Sequence, residues 1–298
     1  MHNPLISIII PTFNRELKVI EAIQSVLSQS YENFELIVID DGSTDQTNQI
    51  VATVKDSRLI YRAIERSGVS RARNLGASIA TGSFLAFLDS DDIWHKNKLK
   101  KQVAFHLENP QLLISQTQEI WIRNNKRVNP KHKHAKPTGY IFPESLHLCT
   151  ITPSSVIMTK ELFDSFEGFD EKMPACEDYD LWLRITAKHE VGLIDELLLT
   201  KYGGHEDQLS QTHAAMDRFR IYSLGKIILS GKLGESQIQQ ATQVFKNKAK
   251  ILLNGVHKRK KRNSRLIEFL ECLEEFDLNL TSFLQQSEEF LLAEINFA

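Results

Sequence analysis

Phe84-Leu85-Ala86-Phe87-Leu88-Asp89-Ser90-Asp91-Asp92 decides how this chain is read. A short, unbroken apolar run is the signature of a strand buried on both faces. The carboxylates that follow it are delivered together to the point where that strand ends. Clustered carboxylates repel one another unless a positive charge sits among their oxygens. Hard oxygen ligands suit Mg²⁺ or Mn²⁺, and such an ion carrying a diphosphate is one reading. An acidic turn that caps the next helix is the other. Taken alone, the tetrad leaves both open.

Upstream of the tetrad the chain alternates between two periodicities. Ile6-Ser7-Ile8-Ile9-Ile10 reads as a buried strand closed by Pro11, and Glu16 to Ser30 carries Leu17, Ile20, Ile23, Val26 and Leu27 at helical spacing. Phe34 to Ile39 is a second strand running into Asp40-Asp41-Gly42, and a helix from about Asp45 to Lys55 leads to a third strand, Leu59-Ile60-Tyr61. Val69 to Ala80 is again helical. Strand and helix repeated with short connections predict parallel βαβ units. In such sheets ligands bind beyond the carboxyl ends of the strands. Thr12-Asn14-Arg15, Asp40-Asp41 and Asp89-Asp91-Asp92 all fall at that edge.

The second half is less regular. Leu112 to Ser115, Glu119 to Arg123 and Thr152 to Met158 read as strands, with a polar, basic loop from Arg123 to Pro137. Glu177 to Lys188 reads as a helix, Val191 to Ile194 and Leu197 to Leu199 as short strands, and the chain from Gln211 onward as helical. The basic block His257-Lys258-Arg259-Lys260-Lys261-Arg262 reads as a solvated helix face or linker, with an anchor to anionic lipid as the alternative.

With 298 residues, 42% hydrophobic and 25% charged, the composition is that of an ordinary globular protein. A net charge of -2 argues against a dedicated nucleic-acid binder. The three cysteines, Cys149, Cys176 and Cys272, are widely separated and suit a reducing compartment. Met1-His2-Asn3-Pro4 lacks the basic start of a signal peptide, and no stretch approaches the ~20 apolar residues of a membrane span. The expectation is a cytoplasmic protein.

Five segments in order resemble an inverting, family-two glycosyltransferase with the GT-A fold. They are Ser7 to Arg15, Asp40 to Asp45, Gly68-Val69-Ser70-Arg71-Ala72-Arg73-Asn74, Phe87 to Asp92, and Glu177-Asp178-Tyr179-Asp180-Leu181-Trp182. The resemblance covers roughly residues 5 to 210. It implies an α/β fold, a Rossmann-like mixed sheet flanked by helices, with a helical C-terminal appendage. Residues 1–108 would form the nucleotide-sugar half, 109–212 the acceptor half and 213–298 the helical extension.

The same resemblance implies roles. Pro11, Thr12, Asn14, Arg15, Asp40 and Asp41 would hold the donor, its base above all. Arg71 would lie near the base or diphosphate, Asn74 near the phosphates or ribose, and Asp89 and Ser90 beside the ribose or sugar. Of Arg71 and Arg73, at least one is expected to pair structurally with nearby carboxylates. Asp91 would bind a divalent cation, Mg²⁺ or Mn²⁺, with His205 as a further ligand or phosphate contact. Asp92 would support the loop or cap the next helix. Asp178 would be the catalytic base, and Glu177 and Trp94 candidate acceptor contacts. The implied reaction moves a sugar from a nucleotide-diphosphate donor, UDP being the commonest carrier, to a hydroxyl of a glycan or lipid-linked acceptor. Peripheral contact with the inner face of a membrane would follow from a membrane-borne acceptor, and polysaccharide biosynthesis is the setting by analogy. The rival readings are a non-catalytic GT-A scaffold, a sugar nucleotidyltransferase and a phosphatase. The last two lack their expected motifs after the first strand.

Overall fold

The computed structural model describes residues 3–128, 134–204, 213 and 215–258. They fall into two compact units, one drawn from residues 1–141, 150–171 and 189–205, the other from 142–149, 172–188 and 206–298.

The first unit is built on a mixed sheet of nine strands among the described residues. Its parallel part consists of β1 (Ile6–Thr12), β2 (Phe34–Asp40), β3 (Leu59–Ala63) and β4 (Phe84–Phe87). The remaining strands are β5 (Ile93–Trp94), β6 (Ile114–Arg123), β7 (Lys126–Val128), β8 (Ile157–Thr159) and β9 (Gly192–Gly203). Their order is β3-β2-β1-β4-β8-β6-β9-β5, with β7 beside β6. β4 meets β8 antiparallel, so the direction of the sheet reverses next to the strand that bears the acidic tetrad.

All seven residues of β1 are buried, because both faces of this strand are covered. Ile6, Ile8 and Ile10 pack with Val19, Ile23 and Val26 of α1 (Val19–Leu27), Val51 of α2 (Thr47–Ala52) and Leu99 and Val103 of α4 (Lys98–Glu108). On the opposite face α3 (Val69–Ile79) comes so close that a Cβ on Gly76 would lie 2.5 Å from Ile9 Cγ2. Phe87 on β4 stacks against Phe163 of α6 (Lys160–Ser165) and against Phe169.

Several segments differ from the sequence expectation, each for a visible reason. Leu112 to Ser115 and Glu119 to Arg123 belong largely to one strand, β6. The polar Gln116 and Thr117 that read as a break are fully buried, and Gln116 Nε2 donates to Pro137 O at 3.0 Å. Val191 to Ile194 and Leu197 to Leu199 are joined in β9, whose pairing with β6 shifts register between Thr117 and Gln118. The extra residues, Asp195 and Glu196, bulge out of the ladder and hide the strand's continuity. Part of the expected loop after Arg123 is β7, reached through Asn124 and Asn125 at φ 49° and 58°, the left-handed pair that tight hairpins use. Thr152 to Met158 divides into a 3-10 turn, Pro153–Ser155, and β8. Helix α4 is an addition to the elements expected from sequence.

The second unit holds α5 (Phe142–His147), α7 (Glu177–Thr186) and helices Asp217–Leu229 and Glu235–Lys258. Phe142, Tyr179, Leu183, Phe219, Tyr222 and Phe245 form its core. Residues 259–298, and with them most of the basic block and Cys272, lie outside the described residues. Among the described residues, no helix is long and apolar enough to cross a membrane.

Candidate functional site

Parallel pairing sets the site's frame. β1 and β2 end in register, Pro11 opposite Ile39 and Thr12 opposite Asp40, while Ile9 pairs with Phe87 just before the tetrad. Asp41 N–H donates to Thr12 O at 2.9 Å and Leu88 N–H to Ile9 O at 3.0 Å, extending the ladders by a residue. The polar clusters after β1, β2 and β4 therefore share one edge. At that edge Thr12 Oγ1 is buried without a hydrogen-bond partner among the described residues.

The loops above this edge are tied to each other. Asn14, in a left-handed conformation (φ 49°), donates its N–H to Ser43 Oγ at 2.9 Å and accepts from Thr44 N–H at 2.8 Å. Arg15 N–H donates to Thr47 Oγ1, and its guanidinium to Asn14 O. Asp40 accepts from Tyr61 Oη–H at 2.6 Å and from Ser43 N–H at 2.8 Å. Burial first and then the Asp40 contact push the Tyr61 hydroxyl well up. Asp41 accepts from Ser67 N–H at 2.7 Å, Ser67 Oγ–H at 3.1 Å and Gly68 N–H at 2.9 Å. Gly68 starts α3 at φ 95°, a conformation only glycine adopts freely, and its exposed N–H is what Asp41 captures. Arg66 lies 3.4 Å from Asp41 and stacks over the Phe13 ring at 3.2 Å. Both carboxylates expected to hold a nucleotide base thus also order the loops around such a base.

On α3 the two arginines divide. Arg71 is exposed, and its side chain has no hydrogen bond or ion pair among the described residues. Arg73 is buried and donates to Asp89 Oδ1 at 2.7 Å, the structural pairing expected of one of the two. Asn74 is engaged with a turn of its own unit: Nδ2 donates to Phe169 O at 2.8 Å and Glu171 Oε1 at 3.0 Å, and Oδ1 accepts from Phe169 N–H.

The tetrad is a closed turn, with Asp92 N–H donating to Asp89 O at 3.0 Å. Ser90 is buried and Asp91 half-buried. Asp92 is 1% exposed and accepts from Ser154 Oγ–H at 2.6 Å and Tyr202 N–H at 3.0 Å, so it holds the loop rather than facing a ligand. Burial, then the charge of Asp91, push its carboxyl well above the usual carboxylate range; Lys201 opposes this and Asp89 adds to it. Trp94 is a correction. Its ring is in the core, its indole N–H donates to Ser154 O at 2.7 Å and Lys98 Nζ sits over its face, which leaves no surface for an acceptor sugar.

Glu177 and Asp178 belong to the second unit, where Cys176 opens α7 at φ 61°. Glu177 is buried. Asp178 is half-buried, accepting from its neighbour's Tyr179 N–H at 2.7 Å and from Cys149 Sγ–H at 3.3 Å. Asp180, two residues further along, is spoken for by Arg184 at 2.9 Å and Lys226 at 2.7 Å. Burial pushes the Cys176 thiol up to about 12. His205 lies outside the described residues. Ser154, Tyr202 and Cys149 were not singled out from sequence.

No group of three or more His, Cys, Asp or Glu side chains that could hold a metal ion occurs among the described residues. The donor set fits a different arrangement. Both Asp92 oxygens are engaged within the loop, and one Asp89 oxygen is held by Arg73. One protein carboxylate, completed by diphosphate oxygens and water, is a common coordination for Mg²⁺.

A family model described as "Glycosyl transferase family 2" matches residues 7–165. Over 223 residues the chain is 36% identical to the Escherichia coli UDP-Glc:alpha-D-GlcNAc-diphosphoundecaprenol beta-1,3-glucosyltransferase WfgD, covering 74% of this chain and 83% of that one. It is 37% identical to an uncharacterized glycosyltransferase of Rickettsia felis over 66% of this chain, but spans only 33% of that relative's length. The crystal structure of S. aureus TarS 1-349 in complex with UDP-GlcNAc superposes with a TM-score of 0.71 at 22% identity, covering 96% of this chain and 91% of that one. At this identity the likeness concerns the fold, which is of the GT-A type.

Proposed function

We propose a donor, an acceptor and a reaction for this chain from one premise: it belongs to glycosyl transferase family 2. The reaction is transfer of a sugar from a nucleotide diphosphate, UDP being the favoured carrier, to a hydroxyl of a lipid-linked or other glycan. The observation that carries this reading is the shared strand edge, where Thr12, Asp40, Asp41 and the tetrad follow strands paired in register and Arg73 of α3 meets Asp89. The naming of WfgD for a UDP-glucose donor and a diphosphoundecaprenol-linked acceptor supports both partners.

In this reading residues 1–108 serve the donor and 109–212 the acceptor. Thr12 and the loops ordered by Asp40 and Asp41 enclose the base, Asn14 and Arg15 brace those loops, and the exposed Arg71 faces phosphate. Asp89, oriented by Arg73, hydrogen-bonds the ribose or sugar alongside Ser90. Asp91 would hold a divalent cation, with His205 as a further ligand; when bound, it supplies positive charge for the leaving diphosphate. Asp178 takes the proton of the acceptor hydroxyl as that oxygen attacks the anomeric carbon from the face opposite the diphosphate. One displacement with one base inverts the anomeric configuration. The work is carried out at the cytoplasmic side of a membrane if the acceptor is lipid-linked.

The test is a panel of nucleotide sugars scored for binding and slow hydrolysis, with and without Mn²⁺. Binding of a UDP-sugar that strengthens with Mn²⁺ is expected. Absence of binding across the panel would overturn the reading, and binding without transfer to any lipid-linked glycan would favour the non-catalytic scaffold.

A further inference from the structure

We infer that Ser154 is a positioning residue for the acidic tetrad, holding both of its ends through a single hydroxyl. Ser154 Oγ accepts the Asp89 N–H at 3.1 Å and donates to Asp92 Oδ2 at 2.6 Å. The residue between them that matters for a cation, Asp91, therefore rides on a turn whose first and last members are tied to the same atom. The serine's own carbonyl accepts the Trp94 indole N–H at 2.7 Å, which fixes the chain just beyond the turn.

A tether is useful only if it is itself immobile, and Ser154 is. It is fully buried within the 3-10 turn Pro153–Ser155, whose proline fixes the first dihedral. The next residue anchors that turn from below. Ser155 O accepts from Gln102 Nε2 at 3.2 Å, and Ser155 Oγ accepts from Lys136 Nζ at 3.0 Å while donating to Thr152 O at 2.8 Å. Lys136 in turn pairs with Glu119 at 2.9 Å, both nearly inaccessible, and Thr152 Oγ1–H donates to the same carboxylate at 3.2 Å. This polar network spans α4, β6 and the segment before Gly139. It gives the serine a fixed reference in the sheet while three neighbouring carboxylates repel one another above it.

The physical need is specific. Asp89, Asp91 and Asp92 within one turn would spread apart if the turn could relax, and a cation held by one carboxylate tolerates little misplacement. Groups that orient metal-binding side chains commonly change metal affinity by about 10–100-fold when removed. The role rests on the donor-site reading of the tetrad, and the experiment separates the two.

Ser154→Ala should make the Asp89 amide exchange with solvent much faster, while amides in the centre of β1 keep their protection. It should also weaken Mn²⁺-dependent UDP binding by about tenfold or more. Ser154→Cys, which keeps a weaker donor, should give an intermediate effect on both and covers the case in which Ser154→Ala does not fold. An Asp89 amide that stays protected in the variant overturns the positioning role, as does faster exchange with unchanged UDP and Mn²⁺ affinity. Failure of the unmodified protein to bind UDP with Mn²⁺ would instead bring down the donor-site reading on which the role depends.

Discussion

Arg73 Nη2 lies 2.7 Å from Asp89 Oδ1, joining a guanidinium that is 4% exposed to a carboxylate that is 27% exposed. The arginine reaches the tetrad from α3 with its plane near the Phe169 ring, 5.2 Å from the centroid. It offsets the charge of Asp89. Arg73→Met should therefore destabilise the fold by about 1.5–3 kcal/mol, the range for hydrogen bonds to charged groups. Asp89→Asn should cost less, and a double-mutant cycle followed by denaturant unfolding should give a coupling above ~0.5 kcal/mol. A coupling near zero would mean that the pair forms without holding the tetrad.

Asp91, half-buried in the tetrad, is the carboxylate proposed to hold a cation, while Asp92 is engaged by Ser154 and Tyr202. Asp91→Asn should abolish the Mn²⁺-dependent part of UDP binding and leave the melting temperature of the ligand-free protein almost unchanged. Titration calorimetry with UDP, with Mn²⁺ and after removal of Mn²⁺ by chelation reads both arms. Equal metal dependence in the variant would refute the assignment.

Asp178 is half-buried, with one oxygen facing Tyr179 N–H and the other the Cys149 thiol. Asp178→Asn keeps the shape and, through Oδ1, the hydrogen bond from Tyr179 N–H, while removing the base and the oxygen that accepts from Cys149. Transfer should fall by about 10²–10⁴-fold, with nucleotide-sugar binding close to that of the unmodified protein. A loss of donor binding in step with activity would assign Asp178 to binding instead.

Lys98 is fully buried, donates to Gln102 Oε1 at 2.6 Å and has no carboxylate partner among the described residues. Burial, with Lys136 as a second cause, holds its ammonium well below the usual lysine range of 10.5. A base depressed in the folded state binds its proton more readily when unfolded. Folding is therefore penalised as pH falls below 10.5, increasingly so down to the lowered folded value, and is not penalised above 10.5. Lys98→Met should raise stability at pH 7 by roughly 1 kcal/mol or more, a gain that shrinks as the unfolding measurement is moved toward pH 11. A variant less stable than the parent at pH 7 would show that the Trp94 and Gln102 contacts outweigh the desolvation.

The parallel half of the fold was legible because three of its four strands, β1, β2 and β4, are almost wholly buried. Ile6-Ser7-Ile8-Ile9-Ile10 and Phe84 to Leu88 leave no room for a helical reading once their turns are noted. The second half was legible only in pieces. Buried Gln116 read as a break because its partners, Pro137 and Lys136, come from elsewhere in the chain. The bulge at Asp195 and Glu196 disguised β9 in the same way. Trp94 was misread as a surface contact because a tryptophan beside an acidic turn looks accessible until α4 and Ser154 are packed against it.

Sequence by itself determined the family, the order of the strands that matter and the identity of the carboxylates at their ends, since these depend on local periodicity and on motifs read along the chain. Tertiary structure decided how those carboxylates differ. Asp89 has Arg73, Asp92 has Ser154 and Tyr202, and Asp41 has the start of α3. All of these partners but Arg73 and the α3 start lie more than sixty positions away. Desolvation and hydrogen bonding act through space, so three aspartates that look alike in sequence become a paired charge, a buried seat and a candidate metal ligand.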